Sequence, residues 1–467
     1  MRLSSFSYKF CFYVSFGFLT SFMGYAYAGA VYPIDRAAIL AGSKFDLKIE
    51  FDQVVDSQDI QLSLNGQQLG VLIKIKPEWI SSEDGKGTSA IWRDVTLNQA
   101  GSYHLVAKSK GQELSVHWNV YSTGPRKAKN VILFIGDGMT IANRTAARVM
   151  SKGIVEGKYL GKLSFDEMPN MALIGTSGSD SLITDSANSM SAYTTGHKTA
   201  VNAMGVYVSR AKDNLSHPKV ETIAEILKRK TKMSVGIVSD AELEDATPAA
   251  VVSHTRRRAD KQYIADQLFF SKADVILGGG SAYFIPQNVP GSKRQDNNDL
   301  VRLFKNDGYQ YVTTKDDLMT VATQKDTKKL FGIFHPDNMD GSLDRFILKQ
   351  NTVNKYPNQP DLTDMTQSAL NVLSKNKEGF FLMVEAALID KFNHPLDWER
   401  AAFDTIMLSN AVQVAKDFAA KNPDTLIIVV PDHTHSGSIS GVIDDLKSGA
   451  LREKVGVYAE AGFPNYP

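Results

Sequence analysis

Three short apolar segments of the chain each run into acidic residues, and histidines follow in two of the three cases. The residues concerned are Asp137, then Glu385 with Asp390 and His394, and finally Asp432 with His433. One acidic residue after a strand usually caps the next helix, but three such ends are harder to explain as caps. Carboxylates that converge on one sheet edge repel one another unless cations neutralise them. Mixed Asp, Glu and His ligation suits zinc and all-oxygen ligation suits magnesium, so these residues predict a multi-metal site.

A serine lies where a helix is expected to begin. Ser186 follows Thr184 and Asp185, and small residues come directly after it. The first turn of a helix offers free N–H groups and the positive end of the dipole, which favour a phosphate and a serine alkoxide. Serine and aspartate at helix starts are mostly caps, so Ser186 becomes a candidate nucleophile only because of the predicted metal site.

A third segment combines ligands for a hard cation with a run of arginines. Asp245 and Thr247 lie two residues apart and can offer two oxygens to one cation. The arginines at 256–258 follow, and an arginine can bind a phosphate through two parallel N–H bonds. By itself such a run is more often a solvated face, so its interpretation depends on the metal site.

An α/β sheet is predicted to position these residues. Apolar runs that predict strands alternate with helix-like stretches at 220–230 and 258–272, and the runs lie at 131–135, 235–238, 275–277, 380–384 and 426–430. Uninterrupted apolar strands between helices indicate a largely parallel sheet that is covered on both faces. Ligands bind outside the carboxyl ends of the strands in such sheets, so the acidic ends should meet at one edge.

Residues 29–122 are predicted to form a separate small antiparallel β-sandwich. Apolar residues alternate with period two in several runs, and Asn65-Gly66 follows one of them as a hairpin turn. This region carries no cluster of chemically active residues, so we expect an accessory or packing module. Residues 123–129, with Gly124 and Pro125, predict a linker to a second domain at 130–467.

The first 28 residues predict an export signal. Arg2 and Lys9 precede an apolar core at 11–23, and Ala26-Tyr27-Ala28 has the spacing of a cleavage site. A retained membrane anchor is the alternative, although the apolar run is short for a span. We therefore expect a periplasmic or secreted protein without stable membrane association after cleavage. The chain has 467 residues and a formal net charge of +1, which gives no reason to expect a nucleic acid partner.

From about residue 130 to the end, the chain closely resembles the alkaline phosphatase family. The matching strings, in family order, are NVILFIGDGM, TDSANSMSAYTTGHKT, DATPAA with its downstream arginine, VEAALIDKFNH and PDHTH. Five separated motifs make this a specific match. The resemblance implies a three-layer sandwich around the central sheet, hydrolysis of phosphate monoesters through a phosphoserine, and a homodimer.

The resemblance also implies two zinc ions, one magnesium ion and a role for each site residue. Ser186 would be the nucleophile, and Arg258, which alone of the three arginines has the family spacing from Asp245, would bind phosphate together with Lys391. The implied metal ligands are Asp390 and His394 for the first zinc, Asp432 and His433 for the second, Asp245, Thr247 and Glu385 for magnesium, and Asp137 for one zinc and also for the magnesium. His435 would lie near the metals without binding them.

The sequence departs from the family pattern after PDHTH. The first zinc of the family has a further histidine from well beyond this motif, but none of the nine histidines follows His435. Two interpretations stay open: the sequence is truncated relative to a longer protein, or the first zinc is held weakly by Asp390, His394 and water. A phosphodiesterase or sulfatase of the wider superfamily, and a metal- or phosphate-binding relative without turnover, are the functional alternatives.

Overall fold

A seven-stranded sheet in which every strand pair is parallel forms the centre of the protein. The computed structural model describes residues 29–81, 83–437 and 439. The strand order across the sheet is β15-β16-β14-β13-β17-β10-β18. The strands are β10 (Asn130–Gly136), β13 (Ser234–Glu242), β14 (Val275–Gly279), β15 (Gln310–Val312), β16 (Leu330–Ile333), β17 (Phe380–Ala386) and β18 (Thr425–Val430). A short hairpin of β11 (Ile154–Val155) and β12 (Lys158–Tyr159) lies apart from this sheet.

Helices cover both faces of the sheet and produce three layers. Ile132 and Phe134 of β10 pack into one apolar core, and Leu133 and Ile135 of the same strand pack into the other. The helices are α2 (Ile141–Lys152), α3 (Ser186–Thr195), α4 (Ile223–Lys230), α5 (Ala246–Ala249), α6 (Lys261–Phe270), α7 (Leu300–Asn306), α8 (Lys315–Thr323), α9 (Leu362–Leu373), α10 (Leu388–Asn393) and α11 (Trp398–Lys421). The predicted three-layer α/β fold is therefore confirmed.

The five predicted strands of this sheet are present, and each extends beyond its predicted apolar run, by one or two residues in four strands and by five residues in β13. The sequence prediction missed β15 and β16, which have three and four residues. Runs this short carry too little periodicity to be separated from loops or from the ends of helices. Both lie at the sheet edge away from the acidic strand ends, so their omission did not affect the predicted site.

The N-terminal region forms two packed sheets, with strand orders β1-β3-β7-β6 and β2-β9-β8-β4-β5. Leu47 of one sheet and Leu105 and Trp118 of the other share one apolar core. The strands are β1 (Ala30–Tyr32), β2 (Ala38–Leu40), β3 (Lys44–Glu50), β4 (Gln61–Leu64), β5 (Gln67–Gln68), β6 (Glu78–Ile80), β7 (Ser89–Thr96), β8 (Gly101–Ser109) and β9 (Gln112–Tyr121), with a short helix α1 (Leu69–Leu72) after β5.

This arrangement agrees with the predicted small β-sandwich, with one departure. Asn65 and Gly66 both adopt positive φ, at 50° and 77°, and connect the antiparallel strands β4 and β5 as the hairpin turn that was expected. The pair β2 and β9 is parallel, whereas the prediction was antiparallel throughout. A strand of three residues such as β2 can pair with the edge of a sheet in either direction, because the chain that connects it to the next strand runs outside the sheet. The proposed domain boundaries remain predictions.

The predicted export signal at 1–28 lies outside the described residues. Within the described part of the chain, no helix combines the length and the apolar character needed to cross a membrane.

Candidate active site

The three acidic strand ends lie side by side because their strands are neighbours. Strand β10 is flanked by β17 and β18, and Ile135 of β10 pairs with Glu385 on one side and with Val430 on the other. Asp137 follows two residues after Ile135, and Asp432 follows two residues after Val430. The parallel register therefore delivers these carboxylates to one edge of the sheet, as the sequence predicted.

Ser186 is the first residue of α3 and faces this carboxylate cluster. Asp185 and Asn188 form a capping box at the start of the helix, which explains locally why the helix begins at Ser186. The Ser186 hydroxyl oxygen lies 3.1 Å from His433 Nε2 and 3.4 Å from Asp137 Oδ1. The side chain is only 4% exposed. The serine is thus held inside the cluster and beside the free N–H groups of a helix start.

One group of side chains at the site could hold a metal ion through Asp390. The ligand atoms of Asp390, His394 and His435 all lie within 4.8 Å of one another. His394 Nε2 is 3.3 Å from one oxygen of Asp390, and His435 Nε2 is 2.5 Å from the other. His394 is 67% exposed, whereas Asp390 is buried, so this group faces outward at the mouth of the site.

A second group lies deeper and shares Asp390 with the first. Asp137, Asp390 and His433 also have ligand atoms within 4.8 Å of one another. His433 Nε2 is 3.3 Å from Asp137 Oδ1 and 3.5 Å from Asp432 Oδ2. The other oxygen of Asp432 accepts the backbone N–H groups of Gly138 and His433. This leaves the buried Oδ2 of Asp432 without a hydrogen-bond partner among the described residues.

The three residues predicted to hold magnesium lie next to this cluster in different environments. Thr247 Oγ1 is buried and has no hydrogen-bond partner within the described part of the chain. Glu385 Oε2 accepts the hydroxyl of Ser239 at 2.5 Å. Both oxygens of Asp245 are bound to cationic side chains. Neither candidate group of metal ligands found among the described residues includes Asp245 or Glu385.

Two cationic side chains meet at Asp245. Arg258 Nη2 donates to Asp245 Oδ1 at 2.7 Å, and Lys391 Nζ donates to Asp245 Oδ2 at 2.6 Å. Arg258 Nη1 also lies 3.4 Å from Asp185, the capping residue of the nucleophile helix. Burial acts to raise the pKa of Asp245, but Lys391 and Arg258 hold it well below its usual range. Positive charge is therefore fixed at Asp245 and beside Asp185, the residue before Ser186.

The electrostatics of the carboxylate cluster fit bound cations. Burial, together with Asp432, Asp390 and Glu385, raises the pKa of Asp137 well above its usual range. Burial also raises the pKa of Glu385 to about 7, against the hydrogen bond from Ser239, which lowers it. Buried like charges of this kind are stabilised when a metal ion lies between them. The unpartnered oxygens of Asp432 and Thr247 point to the same conclusion, because hard cations bind carboxylate and hydroxyl oxygens.

Gly138 follows Asp137 directly, and the site requires a glycine there. Its φ is +60°, and a Cβ atom would come within 2.6 Å of the His435 ring and 2.9 Å of Asp390 Oδ1. The backbone can therefore turn closely beneath the first candidate metal group only without a side chain.

Sequence reasoning missed two residues that support the site. Ser239 lies within β13 and donates to Glu385 on the neighbouring strand, and Asp185 caps α3 while it faces Arg258. Asp185 had a signal, since it precedes the candidate nucleophile, but it was read only as a cap. Ser239 had none, because a serine inside a buried strand gives no hint of which carboxylate lies across from it.

Comparisons with known proteins agree on one family. The sequence profile described as alkaline phosphatase matches residues 128–453. The alkaline phosphatase of Escherichia coli is 35% identical over 370 residues, which cover 71% of this chain and 75% of that protein. The alkaline phosphatase of Gadus morhua is 31% identical over 384 residues, which cover 75% and 74%.

Solved structures give the same result. The Thermus thermophilus alkaline phosphatase superposes with a TM-score of 0.57 and 27% identity, over 66% of this chain. The chain spans 60% of the length of that structure. A variant of the TAB5 alkaline phosphatase, described with magnesium bound in its M3 site, superposes with a TM-score of 0.56 and 25% identity, over 70% of this chain and 84% of the other.

Proposed function

This chain belongs to the alkaline phosphatase family, and we propose that it hydrolyses phosphate monoesters through a phosphorylated Ser186 at a site for two zinc ions and one magnesium ion. The family assignment makes the protein a phosphatase that uses divalent metal ions. The observation that carries the proposal for the nucleophile is the position of Ser186, whose hydroxyl lies 3.1 Å from His433 Nε2 at the start of α3.

The proposed metal ligands follow the family motifs, and the two candidate groups of metal ligands described above support part of this set. Asp390 and His394 would hold the first zinc, and Asp432 and His433 the second. His435 would orient Asp390 through their 2.5 Å contact rather than bind the metal itself. Asp137 would be shared between the second zinc and magnesium, and the remaining magnesium residues would be Asp245, Thr247 and Glu385.

In the proposed reaction, the chain's own groups bind and orient the phosphate. Arg258 and Lys391 lie together on Asp245 and would neutralise the phosphate oxygens, which carry the charge in a loose transition state. The N–H groups at the start of α3 would contribute further donors. Ser186 Oγ then attacks phosphorus and the alcohol leaves, after which water attacks the phosphoserine and inorganic phosphate is released. When bound, the metal ions would supply Lewis acidity that stabilises the serine alkoxide and the leaving oxygen.

Replacement of the nucleophile tests this proposal. In the metal-loaded protein, Ser186→Ala should lower kcat for a chromogenic phosphate monoester at alkaline pH by about a thousandfold or more, because the attacking oxygen is removed. Ser189→Ala is a matched control in the same helix, since the Ser189 hydroxyl bonds backbone carbonyls of Asp185 and Ser186. The control should retain most of the activity.

Two further outcomes separate the alternatives. Trapping of labelled phosphate on wild-type protein, but not on Ser186→Ala, is expected if a phosphoserine forms. Full activity of Ser186→Ala would contradict the mechanism, and phosphate binding without any turnover would favour a binding protein. Faster hydrolysis of a diester or a sulfate ester than of a monoester would favour the wider superfamily.

Two proposals about the whole protein rest on the family resemblance and on the first 28 residues. We expect a homodimer, which sedimentation velocity would contradict if only a single-chain species were found. We also expect export to the periplasm or medium, which the N-terminal sequence of the mature protein would test. A mature chain that retained residues 1–28 would contradict cleavage.

A further inference from the structure

One stretch of chain, residues 199–222, contacts both the N-terminal sandwich and the active-site region and is named here the bridging segment. It follows the nucleophile helix α3 and precedes α4. On one side it contacts β3 of the sandwich, and on the other it contacts the backbone just before Arg258. Its contacts form a backbone ladder that connects these two places.

The first step of the ladder adds the bridging segment to β3. Phe45 and Val220 form an antiparallel bridge. Asp46 N donates to Lys219 O at 2.8 Å, and Glu221 N donates to Lys44 O at 3.0 Å. Residues 219–221 thus act as an additional short strand on the sandwich.

The next steps run within the bridging segment and then to the arginine run. Val220 N donates to Gly205 O at 2.9 Å, so the segment folds back on itself. Met204 and Thr255 exchange two backbone hydrogen bonds of 2.9 and 3.0 Å. Arg258 N then donates to Asn202 O at 2.9 Å. Each of the earlier steps shares a residue or a neighbouring residue with the one before it, and Asn202 of the last step lies two residues before Met204, so the contacts run from β3 to Arg258.

One buried carboxylate of the sandwich holds the near end of this ladder. Asp46 is 4% exposed, and its Oδ2 accepts the backbone N–H of Lys219 at 2.9 Å and Arg93 Nη1 at 2.6 Å. Arg93 Nη2 continues to Ser216 O at 3.1 Å. Charge-assisted hydrogen bonds of this kind are stronger than neutral ones and fix geometry. The sandwich therefore binds the bridging segment through both backbone and side-chain hydrogen bonds.

We propose that the N-terminal sandwich positions the phosphate-binding Arg258, with Asp46 as a positioning residue that acts through the bridging segment. The proposal rests on the role of Arg258 in the proposed function. The same segment also braces the nucleophile helix, because Asn202 N donates to Asp185 Oδ1 at 3.3 Å and Gly205 N donates to Ser191 Oγ at 2.9 Å. The sandwich thus helps to position the residues that bind phosphate and is more than an accessory module.

The test measures binding of inorganic phosphate to the metal-loaded protein by titration calorimetry. Asp46→Asn should weaken phosphate binding about threefold to thirtyfold, a range typical of mutations along a coupling network. The KM for a phosphate monoester should rise by a similar factor, while kcat changes less. Arg93→Gln, at a side chain that is 40% exposed, removes the same brace with less risk to folding and should act in the same direction.

Two controls separate positioning from general loss of stability. Leu105→Ala opens a cavity in the sandwich core away from the ladder, and Lys108→Gln removes an exposed ion pair of the sandwich. Both should leave phosphate binding unchanged. In an Arg258→Ala background, Asp46→Asn should have a much smaller effect on phosphate binding, because its route through Arg258 is lost.

Three results would overturn the inference: unchanged phosphate binding in both Asp46→Asn and Arg93→Gln, an equal loss in Leu105→Ala, or an effect of Asp46→Asn that is as large without Arg258 as with it. Phosphate binding does not require turnover, so these results remain separate from the Ser186→Ala assay. If the wild-type protein binds phosphate without hydrolysing it, the proposed function fails while the inference can still hold.

Discussion

Arg258 contacts two acidic residues of the site and holds a positive charge between them. Its guanidinium contacts Asp245 with one nitrogen and Asp185 with another, so it connects a predicted magnesium residue to the cap of the nucleophile helix. Burial acts to lower its pKa, but Asp245 and Asp185 raise it above the ordinary range, so the side chain stays charged. The neighbouring Arg256 instead donates to the backbone oxygen of Val201.

Replacement of Arg258 by lysine should separate the effect of its charge on phosphate binding from the effect of its planar shape. Arg258→Lys keeps a positive charge but loses the planar fork that can contact two acceptors at once. We expect the dissociation constant for inorganic phosphate to rise about tenfold to a hundredfold, with the thermal midpoint nearly unchanged. Arg257→Lys is the matched control, because Arg257 has the wrong spacing from Asp245. An equal effect of both variants on phosphate binding would contradict the assignment.

At the scale of elements, a buried ion pair connects helix α4 to the bridging segment. His254 Nδ1 contacts the backbone oxygen of Gly205 at 2.8 Å, and its Nε2 contacts Glu225 Oε1 at 2.9 Å. Both partners are acceptors, so both ring nitrogens must carry protons and the ring is an imidazolium. Burial acts to lower the pKa of His254, but Glu225 raises it above its ordinary value. Glu225 also belongs to the capping box of α4.

This pair makes stability depend on pH in a defined direction. Because the pKa of His254 is higher in the folded state, the stabilisation is complete below the unfolded value of about 6.5 and is lost as pH rises through the folded value. The free energy of unfolding should therefore fall as the pH rises above about 6.5. In Glu225→Gln the free energy of unfolding should fall less as the pH rises, since an amide can pair with a neutral imidazole. Denaturant unfolding at several pH values would check it, and identical pH profiles would contradict it.

At the scale of the whole molecule, the sheet brings buried negative charge to one edge. Asp137, Glu385, Asp390 and Asp432 are all at most 3% exposed. Glu385 lies in β17, Asp137 and Asp432 follow β10 and β18, and Asp390 lies in α10, the helix after β17. Lys391 and Arg258 offset part of this negative charge. Bound cations should therefore contribute to the stability of the fold as well as to the reaction.

Removal of the metal ions should weaken the fold and abolish activity together. Ligands that bind only the native state stabilise it by mass action, so EDTA should lower the thermal midpoint by about 5 °C or more. EDTA that has been saturated with zinc and magnesium is the control and should have no effect. Readdition of both metals should restore the midpoint. An unchanged midpoint after complete metal removal, shown by elemental analysis, would contradict the metal site.

Local patterns in the sequence predicted much of the architecture. Apolar runs predicted β10, β13, β14, β17 and β18, and the Asn65-Gly66 pair predicted its hairpin, because both signals depend on neighbours in sequence. The prediction failed for β15 and β16, whose few residues are strands only because longer neighbours pair with them. It also failed for the parallel pairing of β2 with β9, because strand direction at an edge is decided by where the chain returns.

The sequence by itself determined which residue types could do chemistry, because Ser186, the acidic strand ends and their histidines lie in motifs that follow the strands directly. Only the tertiary structure decided how these motifs meet. The order β17-β10-β18 places carboxylates that are almost 300 residues apart within reach of one histidine nitrogen, and a ladder from β3 reaches Arg258. Distances of this kind depend on strand order and on contacts between distant segments, which composition and spacing along the chain do not encode.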